Sequence, residues 1–187
     1  LYLNGQSISI KTPGQAVRCG IGMLPEDRKT EGVLLGLPIS INGTLSSLKN
    51  YLGALGWINT KKEAADITEA AHNVHLKMAG IGQNVGNLSG GNQQKVALMK
   101  WVLAECSVLI LDEPTRGVDV GAKIEIYRIM NELAANGVAI IMISSEMPEI
   151  IGMSDRVIVM REGRICGELG SGEISEYNLI RLSMGVN

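Results

Sequence analysis

Hydrophobic positions along the chain fall into short continuous runs and longer periodic stretches. The runs at Gly20–Leu24, Val108–Leu111 and Val138–Ile143 have the length and composition of buried strands. Between the last two runs, Ala122–Ala135 has apolar residues at helical spacing, and an Asn-Gly pair follows it as a stop signal. Strands that alternate with helices of this length predict a parallel sheet with helices on its faces, which is an α/β fold.

Helical spacing also predicts which side of the Ala122–Ala135 helix is buried. Residues three or four positions apart share one face of a helix, and the apolar face turns toward the core. Asp119 lies near the start of this helix. The inward face is predicted to hold five residues: Ile124, Tyr127, Met130, Leu133 and Ala134.

Two patterns toward the ends of the chain predict antiparallel hairpins. Leu1–Ile10 alternates around an Asn-Gly dipeptide, which favours a tight hairpin turn. Arg156–Met160 and Arg164–Glu168 alternate on either side of a Glu-Gly pair. A final helix is predicted over Ser175–Met184.

One part of the chain contains only helical patterns and interrupts the alternation of strands and helices. Thr44–Leu55 is loosely periodic, whereas Lys61–Leu76 has a clear apolar face. Thr60 and Glu63 before and within the second stretch match a capping box, in which hydroxyl and carboxylate satisfy two free N–H groups. We therefore predict an inserted helical subdomain over residues 34–87 of a single, partial domain that spans 1–187.

Composition narrows the classes of protein that this chain can represent. It has 187 residues, of which 45% are hydrophobic, enough for a buried core. Lys and Arg total 17 against 19 Asp and Glu, and aromatic residues make up 3%, so both a basic surface and an aromatic stacking platform for nucleic acid are disfavoured. No apolar run approaches the roughly 18 residues of a membrane span. Because the chain starts at Leu1 and not at Met, we expect it to be a fragment of a longer protein.

The octet LSGGNQQK at residues 88–95 is the most distinctive local feature. Two adjacent glycines let another molecule approach the backbone closely, since they have no Cβ. They precede a predicted helix over 92–105, whose free N–H groups and positive dipole end favour an anion. Ser89 either caps this helix or donates to a phosphate oxygen. The alternative is an ordinary glycine-rich loop with a serine cap.

A second feature is the pair of carboxylates, Asp112 and Glu113, at the end of an apolar strand. Open α/β sheets place ligands at the carboxyl ends of their strands. Asp112 suits Mg²⁺, directly or through water, and Glu113 suits a general base that polarises an attacking water. An apolar run that ends in Asp-Glu is common by itself, but its place after the glycine octet makes the functional interpretation stronger.

Together, LSGGNQQK and VLILDEPTRGVD resemble the signature motif, Walker B strand and D-loop of the ABC-transporter nucleotide-binding domain. The resemblance extends over nearly the whole chain. PEDRK and SSEMPEI add similarity to the second, C-terminal cassette of bacterial monosaccharide importers. The motifs are most similar to those of the galactose/methyl-galactoside type, with the ribose and xylose types near. The resemblance implies a P-loop NTPase-like sheet flanked by helices. Within it, residues 88–187 would form the signature helix, Walker B, D-loop and C-terminal part of the core.

The resemblance also implies which residues form the cassette's own nucleotide site. Glu26 occupies the Q-loop position, where most relatives have Gln, and is expected to contact nucleotide and metal. Asp112 would hold Mg²⁺ and Glu113 would be the catalytic base. Separately, Asp119 matches the D-loop aspartate and is expected to contact nucleotide. Ser145 stands where relatives have the switch histidine that contacts the γ-phosphate. This cassette is therefore expected to hydrolyse its own ATP slowly or not at all.

In this family two cassettes meet head to tail, and the signature of one contacts ATP held by the other. The residues expected to contact the partner's ATP are Ser89, Gly90, Gly91 and Gln93. The family also needs a G-x-x-x-x-G-K-[ST] phosphate loop, yet the chain contains no Gly-Lys dipeptide. We expect that loop upstream of Leu1, so the isolated chain would bind ATP poorly and be inactive.

The implied cofactors are ATP and Mg²⁺. The implied partners are an N-terminal cassette of the same chain, transmembrane permease subunits that meet the helical subdomain, and indirectly a periplasmic sugar-binding protein, with no nucleic acid. The protein would lie at the cytoplasmic face of a bacterial membrane. Two alternatives remain open: a degenerate, non-catalytic ABC domain, and a soluble ABC ATPase that acts on nucleic acid. The second is disfavoured by the acidic charge balance and by the short stretch between Glu26 and Leu88, which leaves no room for a long coiled coil.

Overall fold

The computed structural model describes residues 1–53 and 56–185. The chain forms two compact units, Leu1–Ile141 and Met142–Asn187, which we describe separately. Within the described residues, no helix has the length and apolar character that a bilayer crossing requires.

The first unit begins with the predicted hairpin. Strands β1 (Tyr2–Leu3) and β2 (Gln6–Ser7) pair antiparallel. Asn4 and Gly5 between them have φ of 51° and 76°, which is the left-handed geometry of a tight hairpin turn. Helix α1 (Pro13–Arg18) follows, and the side chain of its N-cap residue accepts a hydrogen bond from the first turn.

A parallel pair of strands forms the centre of the first unit. Strand β3 (Ile21–Leu24) pairs in parallel with β4 (Val108–Asp112), and β5 (Ala139–Ile143) lies on the other side of β4. Leu24 and Leu111, which are register partners, are both fully buried. The predicted parallel sheet is therefore confirmed, and it brings the carboxyl ends of β3 and β4 to the same edge.

The prediction that Val138–Ile143 is a buried strand is wrong with respect to burial. Strand β5 alternates between exposed and half-buried positions, and Ile141 is 53% exposed. Side chains of a strand point to the two faces of the sheet, and among the described residues no helix packs extensively on either face of β5.

Helices and helical turns fill the region between β3 and β4. In chain order they are a π-helical turn (Arg28–Gly32), α2 (Ile39–Thr44), a 3₁₀ turn (Leu48–Tyr51), α3 (Thr60–Asn73) and a 3₁₀ turn (Val85–Asn87). Three of these elements and the following helix pack around buried Ile39, Ile67 and Val85. The helical character predicted for residues 34–87 agrees with this content, while the subdomain boundaries stay a prediction.

The helix predicted over Thr44–Leu55 is wrong. Helix α2 ends at Thr44, a 3₁₀ turn follows, and positions 54 and 55 lie outside the described residues. The helix starts earlier because Pro38 fixes the entry to its first turn. Near its end, Thr44 Oγ1 bonds back to the carbonyl of Ser40 at 3.0 Å, and such side-chain bonds compete with continued helix.

The predicted capping box at Thr60 and Glu63 is also wrong. The N-cap of α3 is Asn59, whose Oδ1 accepts from the N–H of Lys62 at 3.1 Å. The carboxylate of Glu63 instead accepts a hydrogen bond from Thr44 Oγ1 at 2.8 Å. An Asn one residue earlier took the capping role, which freed the carboxylate to join α3 to α2.

Helices α4 (Gly90–Leu103) and α5 (Val120–Ala135) complete the first unit. Of the five residues predicted to face inward on α5, Met130 alone is buried, and Ile124 is 56% exposed. The buried positions of α5 are Ala122, Ile126, Ile129 and Met130. The buried stripe is shifted because α5 presents its Ala122 side to the start of α4, where a glycine admits it closely.

The second unit contains the second predicted hairpin and the final helix. Helix α6 (Met147–Met153) precedes strands β6 (Arg156–Arg161) and β7 (Arg164–Gly170), which pair antiparallel, and α7 (Glu176–Met184) follows. Its small core consists of Val159, Leu169 and Leu179. Both predictions for this part of the chain are confirmed.

Candidate functional site

The glycine octet places an exposed serine at the start of an otherwise buried helix. Ser89 is the N-cap residue of α4, with φ of −62° and ψ of 158°, but its side chain makes no capping hydrogen bond. Its Oγ accepts from Asn92 Nδ2 at 3.0 Å. The free N–H groups of the first turn are therefore left to other acceptors, which is the arrangement that favours an anion.

Gly91 has an internal neighbour that a Cβ would overlap, and Gly90 lies against the end of an arginine side chain that a Cβ would displace. A Cβ on Gly90 would lie 2.8 Å from Nη2 of Arg28 and 3.5 Å from the carbonyl oxygen of Gly117. A Cβ on Gly91 would lie 2.5 Å from Cβ of Ala122. Close approach at these glycines thus serves the packing of this chain, in addition to any nucleotide that reaches the helix start.

Two glutamines of the octet donate hydrogen bonds from the first turns of α4 to main-chain carbonyls of neighbouring segments. Gln93 is 7% exposed, and its Nε2 donates to the carbonyls of Leu88 at 3.1 Å and Val85 at 3.4 Å. Gln94 is 1% exposed and donates to the carbonyl of Pro114 at 2.7 Å. The predicted contact of Gln93 with ATP stays a prediction. Gln94, which the sequence analysis did not select, joins the octet to the loop after β4.

The acidic pair lies at the carboxyl end of β4, as the sequence predicted. Asp112 ends the strand, and Glu113 follows with φ of 48°, in the left-handed region. The carbonyl of Glu113 accepts from the N–H of Arg116 at 3.1 Å, which closes a turn through Pro114. Both acidic side chains are partly accessible. A left-handed backbone is uncommon for a non-glycine residue and has to be held by the surrounding structure.

Carboxylate oxygens at this position have the chemistry that Mg²⁺ requires. Proteins bind Mg²⁺ through one or two carboxylates, with phosphates and waters completing six ligands. Within residues 1–53 and 56–185, no group of three or more His, Cys, Asp or Glu forms a metal cluster. Asp112 therefore fits as a single carboxylate ligand beside a phosphate, and the donor set does not fit an all-protein metal cage.

Asp119 lies between the octet and the helix that follows β4. It is the N-cap of α5, and its Oδ1 accepts from the N–H of Ala122 at 2.9 Å. Its Oδ2 lies 4.0 Å from the position that a Cβ on Gly91 would take. The structure therefore brings the predicted D-loop aspartate next to the second glycine of the octet.

Glu26 and two arginines connect the loop after β3 to the loop after β4. The carboxylate of Glu26 forms an ion pair with the guanidinium of Arg116, and both side chains are about half exposed or more. Arg28 donates in the opposite direction, to the main-chain oxygens of Arg116 at 3.0 Å and Gly117 at 3.4 Å. Neither arginine was predicted as a site residue. The metal contact predicted for Glu26 stays a prediction.

Ser145 belongs to the second unit, where it lies exposed in the loop before α6. The loop is held by its neighbour Ser144, whose Oγ donates to Oε2 of Glu149 at 2.5 Å and accepts from the N–H of Glu146 at 3.0 Å. Glu149 is 3% exposed, and its other oxygen is buried without a hydrogen-bond partner in the described residues. The local structure thus presents Ser145 on an ordered loop of its own unit.

Helix α4 also buries two lysines that the sequence analysis missed. Nζ of Lys95, 1% exposed, lies 2.5 Å from Oε2 of Glu125 and donates to the carbonyl of His75 at 2.7 Å. Nζ of Lys100 donates to the carbonyl of Gly32 at 2.9 Å. The hydrogen bond from Lys95 lowers the pKa of Glu125, and burial lowers the pKa of Lys100. For Lys100 the available signal was its apolar neighbours Met99 and Trp101, which indicate a helix buried all round. Lys95 follows Gln94, and no neighbouring pattern indicated its burial.

Comparisons with known proteins agree with these observations. The sequence model of the family described as ABC transporter matches residues 1–116. The chain is 49% identical over 187 residues to the ribose import ATP-binding protein RbsA of Clostridium perfringens, which is 100% of this chain and 37% of that protein. It is 50% identical over 182 residues to a putative ribose/galactose/methyl galactoside import ATP-binding protein of Rhizobium meliloti, covering 97% of this chain and 36% of that protein.

Solved structures give the same fold. A nucleotide-free ATP-binding cassette from an ABC transporter matches with a TM-score of 0.78 at 19% identity, covering 97% of this chain and 75% of that chain. This confirms the predicted sheet with flanking helices as a cassette fold. The chain spans 37% of the length of the ribose import protein that it matches.

Proposed function

The chain belongs to the ABC transporter family, and we propose that it acts as the C-terminal cassette of a two-cassette ATPase that powers monosaccharide uptake. In this role it donates its signature segment to the ATP bound by the N-terminal cassette. Identity of 49% across the whole chain with a ribose import ATP-binding protein supports the importer class. The galactose/methyl-galactoside and xylose types stay alternatives for the sugar.

The exposed serine at the start of α4 is the observation that carries this proposal. Positions 93–101 of α4 are all buried, whereas Ser89 at its N-terminus is exposed. A phosphate that reaches this end would meet the Ser89 hydroxyl, the free N–H groups of the first turn and the positive end of a 14-residue helix. Asp119 beside Gly91 would complete the contact surface for the partner cassette.

The cassette's own nucleotide would be held at the edge where β3 and β4 end. Mg²⁺, when bound with ATP, would offset phosphate charge, and Asp112 would hold it directly or through water. Glu113 would accept hydrogen bonds from the attacking water and take its proton. The left-handed backbone at Glu113, which holds this carboxylate past the strand end, supports that role.

Two departures from the family pattern support slow hydrolysis at this own site. Ser145 offers a short hydroxyl where an imidazole would contact the γ-phosphate. Glu26 is an anion where most relatives have a neutral Gln, and its carboxylate is engaged by Arg116. We therefore propose an asymmetric pair in which most turnover takes place at the site that receives Ser89.

The helical region is the proposed contact for the permease at the cytoplasmic face of the membrane. It exposes large apolar side chains, and exposed apolar patches of this kind mark surfaces that bind another protein. These residues are Leu34, Leu37, Ile41, Leu45, Leu48, Leu52, Trp57 and Ile58. A periplasmic sugar-binding protein would act on this cassette only indirectly, through the permease.

The test is transport-coupled ATP turnover by the full-length two-cassette protein with its permease in vesicles. Ser89→Arg should abolish it, because it places a side chain in the path of the partner's phosphate. Gly91→Asp should also abolish it, because its side chain would overlap Ala122 and displace the start of α4. Glu113→Gln should leave most of the turnover, since it affects the slow site only. Ser171→Arg, at an exposed serine in the second unit, is the matched control and should behave as the unmodified protein.

The outcomes of these experiments distinguish the proposed function from its alternatives. Unchanged turnover in Ser89→Arg would contradict signature donation. Equal loss in Glu113→Gln and Ser89→Arg would contradict the asymmetry. Loss in neither variant would support a degenerate, non-catalytic domain, and turnover that responds to nucleic acid but not to sugar would support the nucleic-acid alternative. ATP binding by calorimetry should be weak for the 187 residues alone, which contain no Gly-Lys dipeptide.

A further inference from the structure

Arg28 lies where three segments of the candidate site meet. Its Nη1 donates to the main-chain oxygen of Arg116 at 3.0 Å, and its Nη2 donates to that of Gly117 at 3.4 Å. A Cβ on Gly90 would be 2.8 Å from the same Nη2 and 3.5 Å from the carbonyl oxygen of Gly117. The guanidinium therefore lies beside the contact between the first glycine of the signature and the loop that leads to Asp119.

The backbone that carries Arg28 is itself fixed at both ends. Arg28 begins the π-helical turn Arg28–Gly32, and Oδ1 of Asp27 accepts from the N–H of Lys29 at 2.9 Å to cap it. At the far end, the carbonyl of Gly32 accepts from the buried Nζ of Lys100 at 2.9 Å. Lys100 and Gly90 both belong to α4, so the turn is attached to the signature helix at two points. π-Helical turns are rare and often occur at functional sites.

The Arg28 side chain is poorly arranged for stability alone. Its Nε is buried and has no hydrogen-bond partner among the described residues. Leaving a buried donor unpaired is unfavourable, so such a group calls for an explanation beyond packing. The two Nη groups donate hydrogen bonds to two consecutive main-chain oxygens. This geometry requires the flat, forked guanidinium, and a lysine ammonium does not reproduce it.

From these contacts we propose that Arg28 is a positioning residue for the signature segment. Its guanidinium sets the spacing between Gly90 and the main chain at Arg116 and Gly117, so that Ser89 and Asp119 reach the partner's ATP together. A side chain at position 90 would then displace the guanidinium of Arg28 from this place. This inference rests on the proposed donation of the signature to a partner cassette.

The test compares Arg28→Lys and Arg28→Ala in the full-length two-cassette protein with its permease. Both variants should lower kcat for ATP about tenfold or more, because small misplacements of positioned groups have effects of this size. KM for ATP should change less than about twofold, since Arg28 does not hold the nucleotide. Lys29→Ala is the matched control: it removes the adjacent exposed cation and should leave kcat unchanged.

A combined variant tests the proposed partner of Arg28 directly. Gly90→Ala alone should lower kcat, because its Cβ meets the guanidinium. Arg28→Ala together with Gly90→Ala should be less impaired than the product of the two single effects, since removing the guanidinium makes room for the methyl group. Strict multiplication of the two effects would contradict a shared mechanism.

Thermal unfolding of each variant shows whether a lower kcat comes from a misplaced signature segment or from a less stable protein. Retained Tm with lowered kcat in Arg28→Lys supports the inference. Unmodified kcat in Arg28→Lys, an equal fall in Lys29→Ala, or unfolding of both Arg28 variants would overturn it. Ser89→Arg in the same preparation tests the proposed function separately: if it abolishes turnover while Arg28→Ala does not change it, the positioning role alone fails.

Discussion

Arg28 and Arg116 connect the same two loops from opposite directions. Nη1 of Arg28 donates to the main-chain oxygen of Arg116 at 3.0 Å, while the guanidinium of Arg116 pairs with the carboxylate of Glu26. The first contact is directed at fixed backbone and lies beside Gly90. The second is an ion pair between side chains that are 64% and 49% exposed. The two contacts should therefore contribute very differently to the free energy of unfolding.

The Glu26–Arg116 pair should contribute little to stability. Exposed ion pairs are worth at most about 1 kcal/mol, because water screens them and two side chains lose freedom. Arg116→Ala and Glu26→Ala should each lower the free energy of unfolding by less than about 1 kcal/mol. Urea unfolding of both single variants and the double variant measures the coupling between them. A coupling well above that value, or one that persists at about 1 M salt, would contradict this expectation.

Gly91 should be far less tolerant of a methyl group than a glycine in open space. Gly91→Ala would place its Cβ 2.5 Å from Cβ of Ala122, so α4 and α5 must separate. We expect a loss of about 2 kcal/mol in the free energy of unfolding, typical of an overpacked contact. Chemical denaturation of the chain measures it.

Gly14→Ala is the matched control for that substitution. Gly14 lies in helix α1, and its nearest neighbour to an added Cβ is the flexible end of Arg18 at 3.7 Å. Alanine at such a helical position should stabilise the chain by about 0.5 kcal/mol through lower unfolded-state entropy. Similar losses at both positions would show that Gly91 is not limited by its contact with Ala122.

The two glycines of the octet also illustrate what the sequence could predict. Their place at the start of a helix followed from turn and capping patterns, but the helix predicted over 92–105 begins earlier in the structure, at Gly90, and ends at Leu103. The pattern did not reveal that Arg28 and Ala122 occupy the space beside them, because both neighbours come from distant segments of the chain. Local patterns predict which residues lack a side chain, and only tertiary structure identifies what fills the space.

Similar limits explain the other differences. Asn-Gly and Glu-Gly pairs predicted both hairpins, since left-handed turns depend on adjacent residues: Asn4 and Glu162 have φ of 51°. The buried face of α5 was misassigned because its orientation depends on α4. Lys95 escaped selection because its burial requires Glu125, which no local pattern connects to it. Contacts between residues that are distant along the chain are thus the features that local sequence patterns could not predict.

The Lys95–Glu125 pair should make stability depend on pH in the acid range. The hydrogen bond from Lys95 lowers the pKa of Glu125 below its ordinary value of 4.5. A carboxylate with a lowered folded pKa contributes stability that is complete above the unfolded value and is lost as pH falls through the folded value. The free energy of unfolding should therefore decline below pH 4.5.

Glu125→Gln should remove that contribution, because the buried ammonium of Lys95 would then have only neutral acceptors, the amide oxygen of Gln and the carbonyl of His75. At neutral pH we expect a loss of about 2 kcal/mol, the size of a hydrogen bond to a charged group. The control is Glu132→Gln, an exposed position on the same helix, which should change stability by less than about 0.5 kcal/mol. A pH profile of Glu125→Gln that parallels the unmodified chain would contradict the assignment.

Asp119 combines a structural role with a proposed functional one, and two substitutions can separate them. Its Oδ1 caps α5 by accepting from the N–H of Ala122 at 2.9 Å. Asp119→Asn keeps an acceptor oxygen and should leave stability nearly unchanged, whereas Asp119→Ala should lose about 1 kcal/mol in the free energy of unfolding. Urea unfolding of the two variants tests the cap.

The same variants in the full-length protein test whether the charge of Asp119 matters at the partner interface. If the carboxylate acts beside Gly91 on the partner's site, both substitutions should lower transport-coupled ATP turnover although only alanine lowers stability. If Asp119 is a helix cap alone, turnover should follow stability, and Asp119→Asn should match the unmodified protein. A normal rate in Asp119→Asn would therefore contradict the proposed D-loop role while leaving the cap intact, because the amide oxygen preserves the hydrogen bond to Ala122 and removes only the charge.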